Sequence, residues 1–189
     1  MIPLLIGLAL QPCTVDLYNV ANRFAPPEKA WAAPTHPETL EERRLRYALI
    51  AADICKVVAK DKSVEGFTKK QTARLVMGMA IGESGLVKDA DVGPCYRKGK
   101  AWRRCDGGRA VGLLQVWVNR RERDHYFANR KALISRGLQA LRGSFNACRA
   151  LPIDQRLSVY ASGTCQNAKG IAASRRRWKL ITRVLGWRI

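Results

Sequence analysis

One carboxyl group stands at the end of an apolar run and is placed to act as an acid. Residues 74–81 are mostly apolar and contain no proline, which predicts a buried helix whose last turn carries Glu83. Partial burial raises the pKa of a carboxyl group, so that such a group can keep a proton and give it to a leaving oxygen. In the alternative interpretation, Glu83 is a solvated residue at a helix end, and Gly82 and Gly85 are ordinary stop signals.

Three short segments of the chain form an ordered set that includes Glu83. They are Glu83-Ser84-Gly85, Gly112-Leu113-Leu114-Gln115 and Val159-Tyr160-Ala161-Ser162-Gly163. In this order they resemble the signature segments of the lysozyme-like lytic transglycosylases and goose-type lysozymes, which cut the glycan strands of peptidoglycan. Leu114 stands where that family usually has Met, and Ser162 stands where it usually has Asn. The resemblance spans about residues 68–165.

The resemblance implies a fold and a reaction. The fold would be mainly α, a lysozyme-like helical domain with a small irregular or β-like loop region over the cleft. Glu83 would act as general acid and base on the β-1,4 bond between N-acetylmuramic acid and N-acetylglucosamine. It would first protonate the leaving oxygen and then help the sugar's own primary hydroxyl to close an anhydro ring, so that no water nucleophile is needed.

The resemblance also implies a substrate-binding set of Ser84, Gly112, Gln115 and Tyr160. Gln115 would line the floor of the cleft, and Tyr160 would hydrogen-bond near Glu83 or the acetamido group of the substrate. Ser84 would support Glu83 by a local hydrogen bond. The structural alternatives are a helix-capping amide for Gln115 and a core aromatic for Tyr160. Trp102 and Trp117 could offer flat faces to sugars, and a core position is the alternative for Trp117.

A lysozyme-type hydrolase is the alternative reaction. It would require a second carboxylate to position a water molecule. Asp91 and Asp106 are the available candidates in the loop after Glu83, although an Asp flanked by glycine is usually a turn residue. The transglycosylase reaction is therefore favoured.

No cofactor and no metal site are expected. His36 and His125 are far apart in the sequence and do not stand in a metal-ligand or catalytic motif, so neither a metal site nor a histidine base is predicted. The sequence contains no glycine-rich phosphate-binding loop and no nucleophilic-serine motif.

The chain is strongly basic, and most of the excess charge lies downstream of Glu83. Its 189 residues include 34 Lys or Arg and 15 Asp or Glu, a formal net charge of +19. Residues 1–90 hold 12 basic and 10 acidic residues, whereas residues 91–189 hold 22 and 5. A positive surface of this size predicts a polyanionic partner, such as cell-wall polymers, lipopolysaccharide, acidic lipids or nucleic acid. With the resemblance, anionic envelope polymers are favoured and specific nucleic-acid binding is not expected.

Six cysteines form an even set that allows three disulfides. Proximity favours Cys95 with Cys105 and Cys148 with Cys165, which leaves Cys13 with Cys55. None has the Cys-x-x-Cys spacing of a zinc or redox site. The alternative is six reduced thiols in a cytosolic protein.

Local signals predict the helices. Proline-rich residues 22–37 indicate an extended connector, and Pro37 and Glu38 open a helix to about Lys60. Its predicted core stripe is Leu45, Leu49, Ala52 and Val57. The Thr68–Gln71 capping box begins the helix that carries Glu83.

The later elements follow the same signals. Residues 112–117 are expected to turn into the next helix, and residues 133–141 to form another. A short helix bearing Tyr160 ends at Gly163, and a last helix runs from Asn167 to about Leu185. On that last helix a solvated basic face is predicted, formed by Arg175, Arg176, Arg177 and Lys179.

The chain length fits one core-forming domain preceded by a separate segment. Residues 1–37 are predicted to be an N-terminal apolar segment and Pro-rich connector, and residues 38–189 the catalytic domain with its basic C-terminal helix. Residues 1–10 have the length of a signal-peptide core and are too short to span a bilayer. They are either an export signal or a segment that packs on this protein or a neighbour.

Two settings remain open at the sequence level. An enzyme on a phage tail or secretion apparatus must open peptidoglycan locally, so fold-level analogy favours a phage virion or an extracytoplasmic location, periplasmic or secreted. Other virion or secretion-apparatus proteins would then be partners. The competing function is a non-catalytic structural or nucleic-acid-binding virion component on the same fold, and the intact Glu83 favours the enzyme.

Overall fold

The computed structural model describes residues 11–29, 36–92, 96–97, 100–101 and 110–187 of the chain. These residues form eight α-helices and two short antiparallel strand pairs, so the prediction of a mainly α fold is confirmed. The helices are α1 (Pro12–Phe24), α2 (Leu40–Lys60), α3 (Lys69–Ser84), α4 (Lys88–Val92), α5 (Arg123–Ala128), α6 (Arg130–Ala147), α7 (Ser158–Ser162) and α8 (Ala168–Leu185). The strands are β1 (Tyr96–Arg97), β2 (Lys100–Ala101), β3 (Ala110–Val111) and β4 (Val116–Trp117).

Helix α1 lies where the sequence predicts only an apolar segment and a connector. It packs against α2 and α3, and Leu17 and Ala21 are 1% and 0% exposed in the core. The Cys13–Cys55 disulfide joins it to α2, as predicted. Arg74 of α3 also donates from Nε to Asp16 of α1 over 2.8 Å. The connector predicted for residues 22–37 is therefore wrong for residues 22–24, which belong to α1.

Helix α2 begins two residues later than predicted, because Thr39 caps it. The Thr39 hydroxyl accepts from the Glu42 amide over 3.2 Å, and the Glu42 carboxylate accepts from the Thr39 amide over 2.7 Å. Glu38 is instead a buried carboxylate that accepts from Arg43 and Arg46. This pairing fastens the chain just before the helix.

The predicted core stripe of α2 is wrong for Leu45 and Leu49, which are 37% and 40% exposed. Ala52 and Val57 are buried as predicted, and the rest of the buried face includes Tyr47, Ile50 and Ile54, each at most 1% exposed. The reason is that both α1 and α3 pack on α2, so the covered face is wider than one stripe and centred elsewhere.

Helix α3 begins at the predicted Thr68–Gln71 capping box, which the structure confirms. Leu75, Val76 and Met77 have no exposed surface, so the helix is buried nearly all round. It crosses α8 closely at two small residues. A Cβ atom at Gly78 would lie 3.5 Å from Ile181 and Val184, and one at Gly82 would lie 3.5 Å from Leu180.

The region after α4 contains a two-residue strand pair, β1 with β2, consistent with the predicted β-like excursion. Cys95, Trp102, Cys105 and Asp106 lie outside the described residues, so the predicted Cys95–Cys105 pair stays a prediction. Strands β3 and β4 form a second pair, in which Ala110 lies opposite Trp117. Residues 112–117 close a β-hairpin instead of beginning a helix, and the next helix, α5, begins only at Arg123.

The last three α-helices agree with the prediction. Helix α6 covers residues 133–141, α7 carries Tyr160 and ends at Gly163 in a left-handed conformation with φ +80°, and α8 begins after the Asn167 cap. The predicted Cys148–Cys165 disulfide is present and joins the end of α6 to the segment after α7. Helix α7, which carries Tyr160, thus packs against both α6 and α8.

Candidate functional site

The Glu83 carboxyl group lies at the end of the buried helix α3. Gly85 ends this helix in a left-handed conformation with φ +60°, which a residue without a Cβ atom adopts at little cost. The Glu83 side chain is 11% exposed, so most of its surface is withdrawn from solvent. It is therefore neither a core residue nor the freely solvated residue of the alternative interpretation.

Arg177 of α8 is the direct partner of Glu83. Its Nε atom donates to Glu83 Oε1, and its side chain is 24% exposed. The prediction that Arg177 belongs to a solvated basic face is wrong, although Arg175, Arg176 and Lys179 are exposed as predicted. The spacing of Gly170, Ser174 and Ile181 around Arg177 follows the helical repeat, and this pattern could have placed Arg177 on the buried side.

Tyr160 of α7 lies beside this ion pair. Burial of the hydroxyl group raises its pKa, the Glu83 charge raises it further, and the Arg177 charge partly opposes this. The hydroxyl donates to the backbone carbonyl of Leu114, so its proton is committed there rather than to Glu83. Tyr160 lies close enough to Glu83 to interact with its charge, as predicted, but its hydroxyl bonds to Leu114 of the β-hairpin and not to Glu83.

The turn of the β3–β4 hairpin is held by Gly112 and Gln115. The Gln115 amide and its side-chain Nε2 both donate to the Gly112 carbonyl, over 3.0 and 2.8 Å. Gln115 has a φ of +48°, a conformation that non-glycine residues seldom adopt and that often marks functional sites. At Gly112, where φ is +68°, an added Cβ atom would overlap with Leu133.

The predicted hydrogen bond from Ser84 to Glu83 is replaced by two bonds to the backbone. Its hydroxyl donates to the Ala80 carbonyl over 2.8 Å and accepts from the Leu86 amide over 3.2 Å. Because these bonds hold the end of α3 and the residues that follow, Ser84 supports Glu83 through the backbone.

Asp91 is unsuited to positioning a water molecule. Its side chain has no exposed surface, and each of its oxygens accepts from Arg130 over 2.7 Å. Arg46 Nη1 also lies 3.7 Å from Asp91 Oδ2. Both oxygens are therefore engaged in a buried ionic cluster, which does not favour the hydrolytic role weighed for Asp91.

Trp117 is 55% exposed and lies two residues after Gln115. This exposure argues against the core alternative and leaves an aromatic surface close to the hairpin turn. Within the described ranges, no group of three or more His, Cys, Asp or Glu side chains is arranged to hold a metal ion. Nor does any helix among those residues have the length and apolar character needed to cross a membrane.

Comparison with known proteins adds no relative, because no family model, no curated protein and no solved structure matches the chain. The lysozyme-like resemblance therefore depends on the three motif segments and on where the structure puts them.

Proposed function

We propose that the chain is a lytic transglycosylase that cleaves peptidoglycan, with Glu83 as its general acid and base. One observation carries the proposal: the three motif segments, far apart in the sequence, meet at one place. Glu83 of the first segment and Tyr160 of the third are close enough to interact electrostatically. Tyr160 in turn donates to Leu114 of the second segment.

The proposed reaction needs one carboxyl group. Protonated Glu83 gives its proton to the leaving oxygen as the bond from the muramic acid C1 atom breaks and positive charge develops on the ring. The carboxylate then takes the proton of the sugar's own primary hydroxyl as that oxygen bonds to C1. Glu83 ends protonated, as it began, and no water is consumed.

The engaged state of Asp91 supports this reaction over hydrolysis. A hydrolase needs a free carboxylate to orient a water molecule, and both Asp91 oxygens bond to Arg130. Asp106, the other carboxylate weighed for this role, lies outside the described residues. Product analysis, described below, separates the two reactions.

The setting we propose is extracytoplasmic, on a phage virion or a secretion apparatus. The two disulfides Cys13–Cys55 and Cys148–Cys165 are typical of an oxidising compartment. Peptidoglycan strands would be the substrate, other virion or secretion-apparatus proteins would be partners, and the exposed basic residues of the C-terminal half would contact anionic envelope polymers. No cofactor takes part in the reaction.

A non-catalytic structural role is favoured by one specific observation, the Glu83–Arg177 ion pair. Paired charges of this kind also occur where no chemistry takes place. In that case Glu83 would only fasten α3 to α8, and intact glycan would be recovered after incubation with the protein.

The test is mass spectrometry of products from purified peptidoglycan. We expect anhydro ends from the wild type, and a fall in cleavage of about 10² to 10⁴-fold for Glu83→Gln, because the amide has no proton to transfer. Glu65→Gln, at an exposed position, is the matched control and should cleave like the wild type. Reducing ends would indicate a hydrolase, and a Glu83→Gln variant as active as the wild type would contradict the assignment.

A further inference from the structure

Of the three consecutive arginines of α8, only Arg177 turns into the fold. Arg175 and Arg176 are exposed, whereas the Arg177 side chain is 24% exposed and contacts a carboxylate that is 11% exposed. The position follows from packing, because Gly78 and Gly82 leave α3 and α8 in van der Waals contact. The ion pair is thus built into the helix crossing.

The resting ion pair opposes the proposed chemistry. The Arg177 guanidinium group occupies Oε1 of Glu83 with a hydrogen bond. A general acid must instead hold a proton at the moment the leaving oxygen needs it. Arg177 therefore has to release Glu83 before cleavage begins.

Arg177 itself has an unused hydrogen-bond donor. Its Nη1 atom is enclosed by protein and has no hydrogen-bond partner. Enclosed donors without partners are unfavourable and uncommon in folded proteins. Among the described residues, no acceptor lies within hydrogen-bond distance of this atom. An arriving anion would supply one.

The chemistry of the glycan limits which anion this can be. Glu83 has to lie within hydrogen-bond distance of the scissile oxygen, so its partner Arg177 lies within a few ångströms of the same bond. On the muramic acid ring, the acid group nearest that bond is the lactyl carboxylate on C3. This group is an anion only when no stem peptide is attached, because the peptide converts it to a neutral amide.

We propose that Arg177 exchanges Glu83 for the free lactyl carboxylate of a peptide-free muramic acid residue, which makes denuded glycan strands the preferred substrate. The inference depends on the proposed transglycosylase function and specifies its substrate. When the substrate binds, the guanidinium moves to the lactyl carboxylate, and Glu83 takes one proton from solvent. When the product leaves, Arg177 returns to Glu83, which gives that proton back.

The experiment compares two substrates that differ only in the stem peptide. One is a glycan oligosaccharide with stem peptides, and the other is the same oligosaccharide after removal of the peptides by an amidase. We expect the wild type to cleave the peptide-free form about tenfold faster or more, as a charge-assisted hydrogen bond would provide. In Arg177→Gln, the ratio of the two rates should fall towards one.

Two further variants control for folding and for net charge. Arg177→Lys keeps a positive charge beside Glu83 and should retain part of the preference. Arg136→Gln removes one charge from an exposed position of α6 and should keep the full wild-type ratio. Thermal unfolding shows whether each variant is folded, and the ratio is measured on folded protein only.

The outcomes separate this proposal from the proposed function. If the wild type cleaves both substrates at equal rates, or if the folded Arg177→Gln variant keeps the full preference, the exchange is wrong while the transglycosylase assignment stands. If the wild type cleaves neither substrate, both proposals are wrong.

Discussion

The hydroxyl group of Tyr160 joins the ion pair to the β-hairpin, and its removal has consequences that can be measured apart from catalysis. In Tyr160→Phe the Leu114 carbonyl loses its donor, which should lower the free energy of unfolding by about 1 to 3 kcal/mol. Denaturant unfolding of both proteins at neutral pH measures the difference. Equal stability would mean that solvent replaces this bond.

The same residue predicts a loss of stability at alkaline pH. Burial raises the pKa of Tyr160 above the ordinary value of 10, so in the folded protein it stays protonated where the unfolded chain ionises. Its contribution is therefore complete below pH 10 and is lost as the pH rises above this value. Unfolding curves at several pH values should show a steeper alkaline decline for the wild type than for Tyr160→Phe. Parallel declines would contradict the assignment.

Single residues were predictable from the sequence where a short motif names them. Glu83 and Tyr160 stand in such motifs, and the structure brings both to one place. The pairing of Arg177 with Glu83 was not predicted, because the two lie 94 residues apart and the neighbours Arg175 and Arg176 are solvated. Only its spacing from the buried residues of α8 indicates which way it faces.

At the scale of elements, the crossing of α6 with the hairpin turn allows a matched pair of glycine substitutions. In Gly137→Ala the new Cβ atom would overlap with Leu114, whose carbonyl accepts from Tyr160, so we expect a loss of about 1 to 3 kcal/mol. Gly143 lies in the same helix with open space around it, and Gly143→Ala should gain about 0.5 to 1 kcal/mol. Thermal unfolding of the two variants measures both effects. A Gly137→Ala variant as stable as Gly143→Ala would show that Leu114 moves aside freely.

Helices were predictable wherever their ends are defined locally. The Thr68–Gln71 box and the Asn167 cap involve neighbouring residues only, and both are confirmed. The β3–β4 hairpin was not predictable, because its turn depends on a non-glycine residue, Gln115, with φ +48°. Residues 45 and 49 of α2 were misplaced for a different reason, since the packing of α1 decides which face of α2 is covered.

At the scale of the whole molecule, the exposed basic residues Arg175, Arg176 and Lys179 of α8 should draw the protein to an anionic cell wall. Changing these three to Gln should weaken binding to whole sacculi at low salt, because exposed charges act over about 8 to 10 Å at physiological ionic strength. Turnover of a short neutral glycan should change little. Arg177 is left intact, because it bonds to Glu83.

The control removes the same charge elsewhere, at Lys56, Lys60 and Lys62, which are exposed at or just beyond the end of α2. A sedimentation assay over a salt series measures the binding of all three proteins. If the α8 variant binds sacculi like the wild type, the basic face does not steer the protein to the wall. The basic face of α8 would then be a surface that contacts an acidic partner protein.

The separation of Glu83 and Arg177 along the chain also has a consequence in time. Helix α3 is synthesised well before α8, and the two residues are 94 positions apart. A contact between distant parts of a chain cannot form until the later part has emerged and docked. During synthesis Glu83 is therefore without its guanidinium partner, and the ion pair closes only when α8 docks. Hydrogen exchange can follow this step. Backbone amides of α8 that become protected from exchange only when α8 docks on α3 would report the last step in the maturation of the site.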